Sequence, residues 1–157
     1  MPNSTRATLE LTKAGVTFTV HHYTYDPGAD RIGMQAAEAL GEPARHVLKT
    51  LMAEVDGKAV CAIVPSDREV SMKKLAAAFG GKHAQMMKPA DAERLTGYHT
   101  GGISPFGQKK RVLTVIEETA MAESHVYMNA GQRGLQVKLA PDDVVQVLTA
   151  TVTGVVA

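Results

Sequence analysis

The chain has 157 residues, a length that suits one domain around a single core. Hydrophobic residues make up 45% and charged residues 21%, which excludes a disordered or fibrous chain, and with 4% aromatics and no Trp the core falls to Val, Leu, Ala and Met. Net charge is +1, yet residues 73–111 carry eight Lys and Arg against two Asp and Glu. That stretch either attracts a polyanion or forms a solvated lysine-rich surface.

The N-terminal MPNSTRATLELTKAG lacks the apolar core of a signal peptide, and no stretch reaches membrane-spanning length. A single cysteine, Cys61, cannot form an internal disulfide and fits a reducing compartment, so a cytoplasmic protein with no membrane partner is expected.

In chain order, Ser4 or Thr5 can cap a helix over RATLELTKA, stopped by Gly15. VTFTVHHY alternates as a half-buried strand does, TYDPGADRIG is rich in turn residues, and MQAAEALG reads as a helix. Beyond Pro43, VLKTLMAEV and KAVCAIVP form a hairpin across Asp56-Gly57. SMKKLAAAFGG, with Ser71 as cap, and PADAERLTG are short helices. RVLTVIEE, SHVYMN and GLQVKLA are strands, the last two joined by a tight turn. PDDVVQVL is a helix with acids in its first turn, and the apolar C-terminal stretch runs on into a strand. Strands outnumber the short helices and are joined by hairpins. The expected fold class is α/β: a mixed, largely antiparallel sheet or crumpled barrel with short surrounding helices, one domain over 1–157.

Several chemistries are missing. There is no CxxC, no HExxH and no His pair at i, i+4, so no metal site is expected; His21 and His22 are adjacent and face opposite sides of a strand. No GxSxG marks a serine nucleophile, and Cys61 sits mid-strand as a packing residue. Gly102 and Gly107 have phosphate-loop spacing, but Gln108 stands where the lysine belongs and Lys109 where Ser or Thr would hold magnesium.

Two features remain. Lys49 shares a strand face with Val47, Leu51, Ala53 and Val55, so it either snorkels to an edge or reaches into a cleft. The stretch TGYHTGGISPFGQKKR, Thr96 to Arg111, combines four glycines, a proline and three consecutive cations. It is either a turn-rich crossing or a loop whose Gly101 and Gly102 let a ligand approach the main chain, with consecutive N–H groups forming an anion-binding concavity.

VLKTLM (47–52), TGYHTGGISPFGQKKR (96–111), NAGQRGLQVKLAP (129–141) and the H-x-Y of His21–Tyr23 together resemble the YbaK/EbsC family of cysteinyl-tRNA(Pro) deacylases, in order and spacing across nearly the whole chain. The resemblance implies a free-standing editing enzyme without cofactor or metal. It would clear Cys-tRNA(Pro), and possible relatives such as Cys-tRNA(Cys), by ester cleavage assisted by the substrate's own thiol. By motif position, Lys49, Gly101 and Gly102 would be catalytic: Lys49 on the 3′-terminal adenosine or its phosphate, and Gly101 to Pro105 around the carbonyl. Tyr23, Ile32, Thr50, Ile103, Ser104, Pro105, Asn129 and Arg133 would bind substrate. Lys73, Lys74, Lys109, Lys110 and Arg111 would follow the tRNA backbone.

Three positions depart from the pattern that the resemblance implies: Ile32 where an aromatic is expected, Asn129 where some members have Ser, and Gln136 where some have Asp. The first two could alter amino-acid preference, and Gln136 removes a charge. Expected partners are aminoacyl-tRNA and prolyl-tRNA synthetase, with a monomer favoured. The alternatives are a deacylase for alanine or another small residue, or a non-catalytic tRNA- or synthetase-binding module.

Overall fold

Thr5 begins the first helix with a reciprocal cap: its hydroxyl accepts from the Thr8 N–H, and the Thr8 hydroxyl accepts from the Thr5 N–H. In the computed structural model, which describes residues 4–26 and 32–157, this helix is α1 (Arg6–Ala14) and ends at Gly15 as expected. There follow β1 (Thr19–His22), α2 (Ile32–Leu40), a 3-10 turn (Ala44–His46), β2 (Leu48–Val55) and β3 (Lys58–Pro65). Next come α3 (Met72–Ala78), β4 (Ala84–Met86), α4 (Pro89–Thr96), β5 (Leu113–Glu117) and a second 3-10 turn (Glu118–Ala122). The chain ends with β6 (Val126–Asn129), β7 (Leu135–Leu139), α5 (Pro141–Leu148) and β8 (Thr151–Thr153). Residues 27–31 of the turn expected over 24–33 lie outside the described residues, as does the side chain of Ile32.

The β2–β3 hairpin turns at Asp56 and Gly57, both at positive φ (49° and 82°), the mirror-image geometry that matches strand twist. Strand β4 had no signature in the sequence. Ala-Gln-Met has little strand propensity, and pairing with the free edge of β2 fixes it, helped by the Asp56 carboxylate, which accepts from the Lys82 and His83 N–H groups.

Two sheets result, ordered β1-β7-β6 and β4-β2-β3-β5-β8. The smaller is antiparallel throughout, but β3–β5 and β5–β8 run parallel. Between β3 and β5 the chain crosses through α3, β4 and α4, which returns it in the same direction. Of the two arrangements expected, open sheets are observed; they meet at a parallel bridge between Val47 and Tyr127 and do not close into a barrel among the described residues.

The pleat of the larger sheet separates two apolar clusters. Leu48, Met52, Cys61, Ile63 and Ile116 point toward α1, α5, Phe106 and the smaller sheet. Ala53, Val60, Ala62, Val64 and Val115 point the other way, against Leu75 and Ala76 of α3 and the C-terminal Val155.

One acid is buried in this frame. Glu117 is 1% exposed; its Oε1 accepts from the Val155 and Val156 N–H groups and its Oε2 from that of Thr119. Desolvation raises its pKa, but the backbone donors outweigh it and hold the carboxyl below the usual glutamate range. The ionised form therefore adds stability above the unfolded pKa, and that stability is lost as pH falls through the lower folded value. Glu117→Gln turns an amide NH₂ toward a backbone donor, so a loss of about 1–3 kcal/mol is expected at neutral pH. Urea unfolding at several pH values should show the gap to wild type narrowing below about pH 4.

Candidate active site

A cleft of about 330 Å³ opens where β2, β6 and β7 face the connection after α4. From β2 come Lys49 and Thr50, from β6 Asn129, from β7 Gln136, and from the glycine loop Thr100, Gly101 and Ile103. Met86, Met87, Pro89 and Ala92 form an apolar wall. Asn129 and Gln136 are direct cross-strand partners and so share a face.

Lys49 reaches into the cleft, which decides between the two readings of its strand position. Its side chain is 20% exposed and its Nζ lies 3.6 Å from Oε1 of Glu69, whose side chain is 77% exposed. A pair with one partner that open is weak and readily exchanged for an anionic ligand. Next to it are buried oxygens without hydrogen-bond partners, Thr50 Oγ1 and Gln136 Oε1; the buried Tyr23 hydroxyl is also unpartnered. Unpaired buried polar atoms are costly, and in a cleft they mark where a polar ligand or water would bind. Burial pushes the Tyr23 pKa up, ahead of the opposing effect of the Gly134 backbone.

The glycine loop is held from three sides. Asn129 Nδ2 donates to the Gly101 carbonyl at 3.1 Å, while its Oδ1 accepts from the Gly131 N–H at 2.7 Å. Arg133 Nε donates to the Thr100 carbonyl at 2.8 Å, and its guanidinium carbon lies 5.4 Å from the centre of the Tyr25 ring. The Glu93 carboxylate accepts from the Thr100 N–H at 2.7 Å; that backbone donor, ahead of lesser contributions from His99 and Arg133, holds its pKa low.

The residues expected to bind substrate divide accordingly. Lys49, Thr50, Gly101, Ile103 and Asn129 meet at the cleft. Gly102 does not line it: its N–H donates to the His99 carbonyl, and an added Cβ would sit 3.0 Å from the Arg133 nitrogen. The pair of consecutive glycine N–H donors expected for an anion is thus reduced to Gly101. Ser104 and Pro105 are buried behind the loop, where the Ser104 hydroxyl accepts from the Phe106 N–H. Tyr23 packs against Val47 and Tyr127, and Arg133 anchors the loop from outside.

The cations expected along a tRNA backbone do not form one stripe. Lys74 donates to the Val156 carbonyl at 3.0 Å and Arg111 to the Val147 carbonyl at 2.8 Å, so both heads are engaged within the fold. Lys73 and Lys74 lie on α3, on the opposite face of the larger sheet from α4. Lys109, Lys110 and Arg111 instead line a groove with Lys58 and Arg94.

Among the described residues that line the cleft, the only titratable groups are Lys49 and Glu69. The Ser66 hydroxyl donates to the Val47 carbonyl, and Cys61 is buried in the core with its thiol pushed up to about 12 by desolvation. Among the described residues, no hydroxyl or thiol in the cleft is paired with a general base. Those residues can bind, orient and polarise a ligand but include no activated nucleophile. Sequence reasoning missed Glu69, Tyr25 and the two methionines at β4. Tyr25 alone had a local signal, two residues beyond Tyr23 on an extended segment.

The family model of the aminoacyl-tRNA editing domain matches residues 26–147. Over 108 residues the chain is 42% identical to an Enterococcus faecalis protein assigned by name as a Cys-tRNA(Pro)/Cys-tRNA(Cys) deacylase, EbsC; the match covers 68% of this chain and 65% of that protein. It is 36% identical over 81 residues to the proline–tRNA ligase of Nitratidesulfovibrio vulgaris, covering 52% of this chain and 14% of the ligase. In fold it matches a crystal structure described as a trans-editing enzyme for prolyl tRNA synthetase, with a TM-score of 0.83 at 19% identity over 100% of this chain and 98% of that one.

Gly101 has φ 88°, and a Cβ there would come within 2.8 Å of the Tyr25 hydroxyl. Gly101→Ala is therefore expected to destabilise the fold by about 1 kcal/mol or more in urea unfolding. Adding Tyr25→Phe should recover only the steric part, because the left-handed backbone remains.

Proposed function

The chain belongs to the aminoacyl-tRNA editing domain family, and from that premise we propose that it is a deacylase clearing Cys-tRNA(Pro), and Cys-tRNA(Cys), by thiol-assisted ester cleavage. One observation carries this reading: a cleft with a lysine, unpaired polar oxygens and a glycine in the left-handed region, but no nucleophile with a base among the described residues. An aminoacyl ester is already activated, so a substrate that supplies its own nucleophile needs only positioning and charge stabilisation.

The substrate sulfur attacks its own carbonyl carbon, the ester C–O bond breaks, and the thiol proton passes to the departing ribose oxygen, leaving a cyclic thiolactone. Lys49 would exchange Glu69 for the 3′-terminal phosphate or adenosine. The Gly101 N–H and the Thr50 hydroxyl are the donors nearest in kind to an oxyanion hole, since the Gly102 N–H is committed to His99. Asn129 acts through Gly101, whose carbonyl it holds. The apolar wall of Met86, Met87 and Ile103 suits a small side chain with little polarity. Residues 1–157 would act as one editing unit in the cytoplasm, and the match to proline–tRNA ligases supports delivery of tRNA by the synthetase.

Hydrolysis of Cys-tRNA(Pro), Ala-tRNA(Pro) and Pro-tRNA(Pro) by the purified chain, side by side, tests this. Rapid loss of the cysteinyl ester alone is expected, while loss of the alanyl ester would require an activated water instead. Lys49→Ala should lower deacylation at least tenfold, equivalent to about 1.4 kcal/mol of barrier, with its unfolding curve near wild type. Wild-type activity in that variant would remove Lys49 from the mechanism. Binding to deacylated tRNA should weaken with salt, and Lys109→Ala with Lys110→Ala should flatten that dependence if the groove meets phosphates.

A further inference from the structure

Away from the cleft, the corner after α2 brings together side chains that are far apart in sequence. Glu42 follows the end of α2, His46 closes the 3-10 turn just before Val47, and His125 stands just before β6. The two imidazole rings are 4.7 Å apart between centroids. Oε1 of Glu42 lies 2.9 Å from His125 Nε2 and 3.5 Å from His46 Nδ1. One ligand atom from each of the three lies within 4.8 Å of the others.

The outer atoms of both rings are anchored. His46 Nε2 is 2.7 Å from Oε1 of Glu123, and His125 Nδ1 is 3.0 Å from Ser124 Oγ. Arg45 Nε backs Glu123 at 3.4 Å. His46 Nδ1 is buried without a hydrogen-bond partner. With Nε2 held by Glu123, Nδ1 is the ring nitrogen that faces Glu42 and is open to a ligand. A carboxylate on the outer nitrogen, with the inner nitrogen free, is how metal-binding histidines are oriented.

We propose that Glu42, His46 and His125 form a zinc site, with Glu123 orienting His46 from behind. Ligand atoms about 2.0–2.1 Å from a tetrahedral ion lie about 3.3 Å apart. The two distances from Glu42, 2.9 and 3.5 Å, bracket that value. Two imidazoles and one carboxylate suit zinc and its transition-metal neighbours rather than magnesium or calcium, which take oxygen ligands. The ion would fasten His46 to His125 across the seam where the two sheets meet at Val47 and Tyr127. The role is structural, and it revises the expectation, drawn from scattered histidines, that the chain holds no metal.

The test uses the untagged full chain, stripped with a chelator and titrated with zinc chloride by calorimetry and thermal melting. One zinc per chain and a higher melting temperature are expected, with no comparable response to magnesium. His125→Ala should lower the affinity at least tenfold, and Glu123→Gln about 10–100-fold. In wild type, NMR should show the imidazole signals of His46 and His125 moving on titration while those of His83 and His99 stay in place. That readout needs no folded variant. No binding, unchanged affinity in both variants, or movement of the other histidines instead would overturn the site. Each readout is independent of deacylation, so neither failure implies the other.

Discussion

The site depends on the seam at Val47. There the residue just before β2 bridges to Tyr127 of β6, and its carbonyl accepts from both the N–H and the hydroxyl of Ser66. This contact joins the two sheets edge to edge, with a buried apolar set of Ala36, Ala37, Val47 and Tyr127 behind it. Because it fixes the register of β2 against β6, it also fixes which residues face each other two positions on. Lys49, two residues after Val47, and Asn129, two after Tyr127, then both line the cleft. A one-residue slip would turn Lys49 to the other side of the strand and leave no cation in the cleft.

Around that frame the glycine loop is held as a separate piece. It leaves α4 at Gly97, whose N–H returns to the Glu93 carbonyl, and is fastened by Glu93, Asn129 and Arg133 before Phe106 sinks into the core. Three polar contacts from three elements are a rigid mounting for a loop with a residue at φ 88°. A preorganised donor stabilises developing charge without rearranging during the reaction. Gly102, Ser104 and Pro105 are buried within the loop, where the Gly102 N–H and the Ser104 hydroxyl bond to the loop's own backbone.

The cleft's electrostatics are sparse. Among the described residues its one cation is loosely paired with an exposed acid, and the remaining polarity lies largely in unpaired oxygens against an apolar wall. Such a site selects by shape and by one charge, which suits a small substrate attached to a larger anionic carrier. A separate groove holds Lys58, Arg94, Lys109 and Lys110 together with Glu54 and Asp91, the last paired with Arg94.

Local sequence determined much of the chain. The Thr5 cap, the Asp56-Gly57 turn, the β3 limits and α5 with its acidic first turn were all legible, because each rests on neighbours within a few residues. The motif resemblance likewise located Lys49 and Gly101. What it could not show was orientation. Whether Lys49 reaches a cleft, which glycine N–H is already bonded, and which cations are engaged within the fold depend on partners tens of residues away. The same reason hid β4, which has no strand character until β2 offers it an edge. It also hid the meeting of His46 and His125, separated along the chain by β2 to β5 and brought together where the two sheets touch.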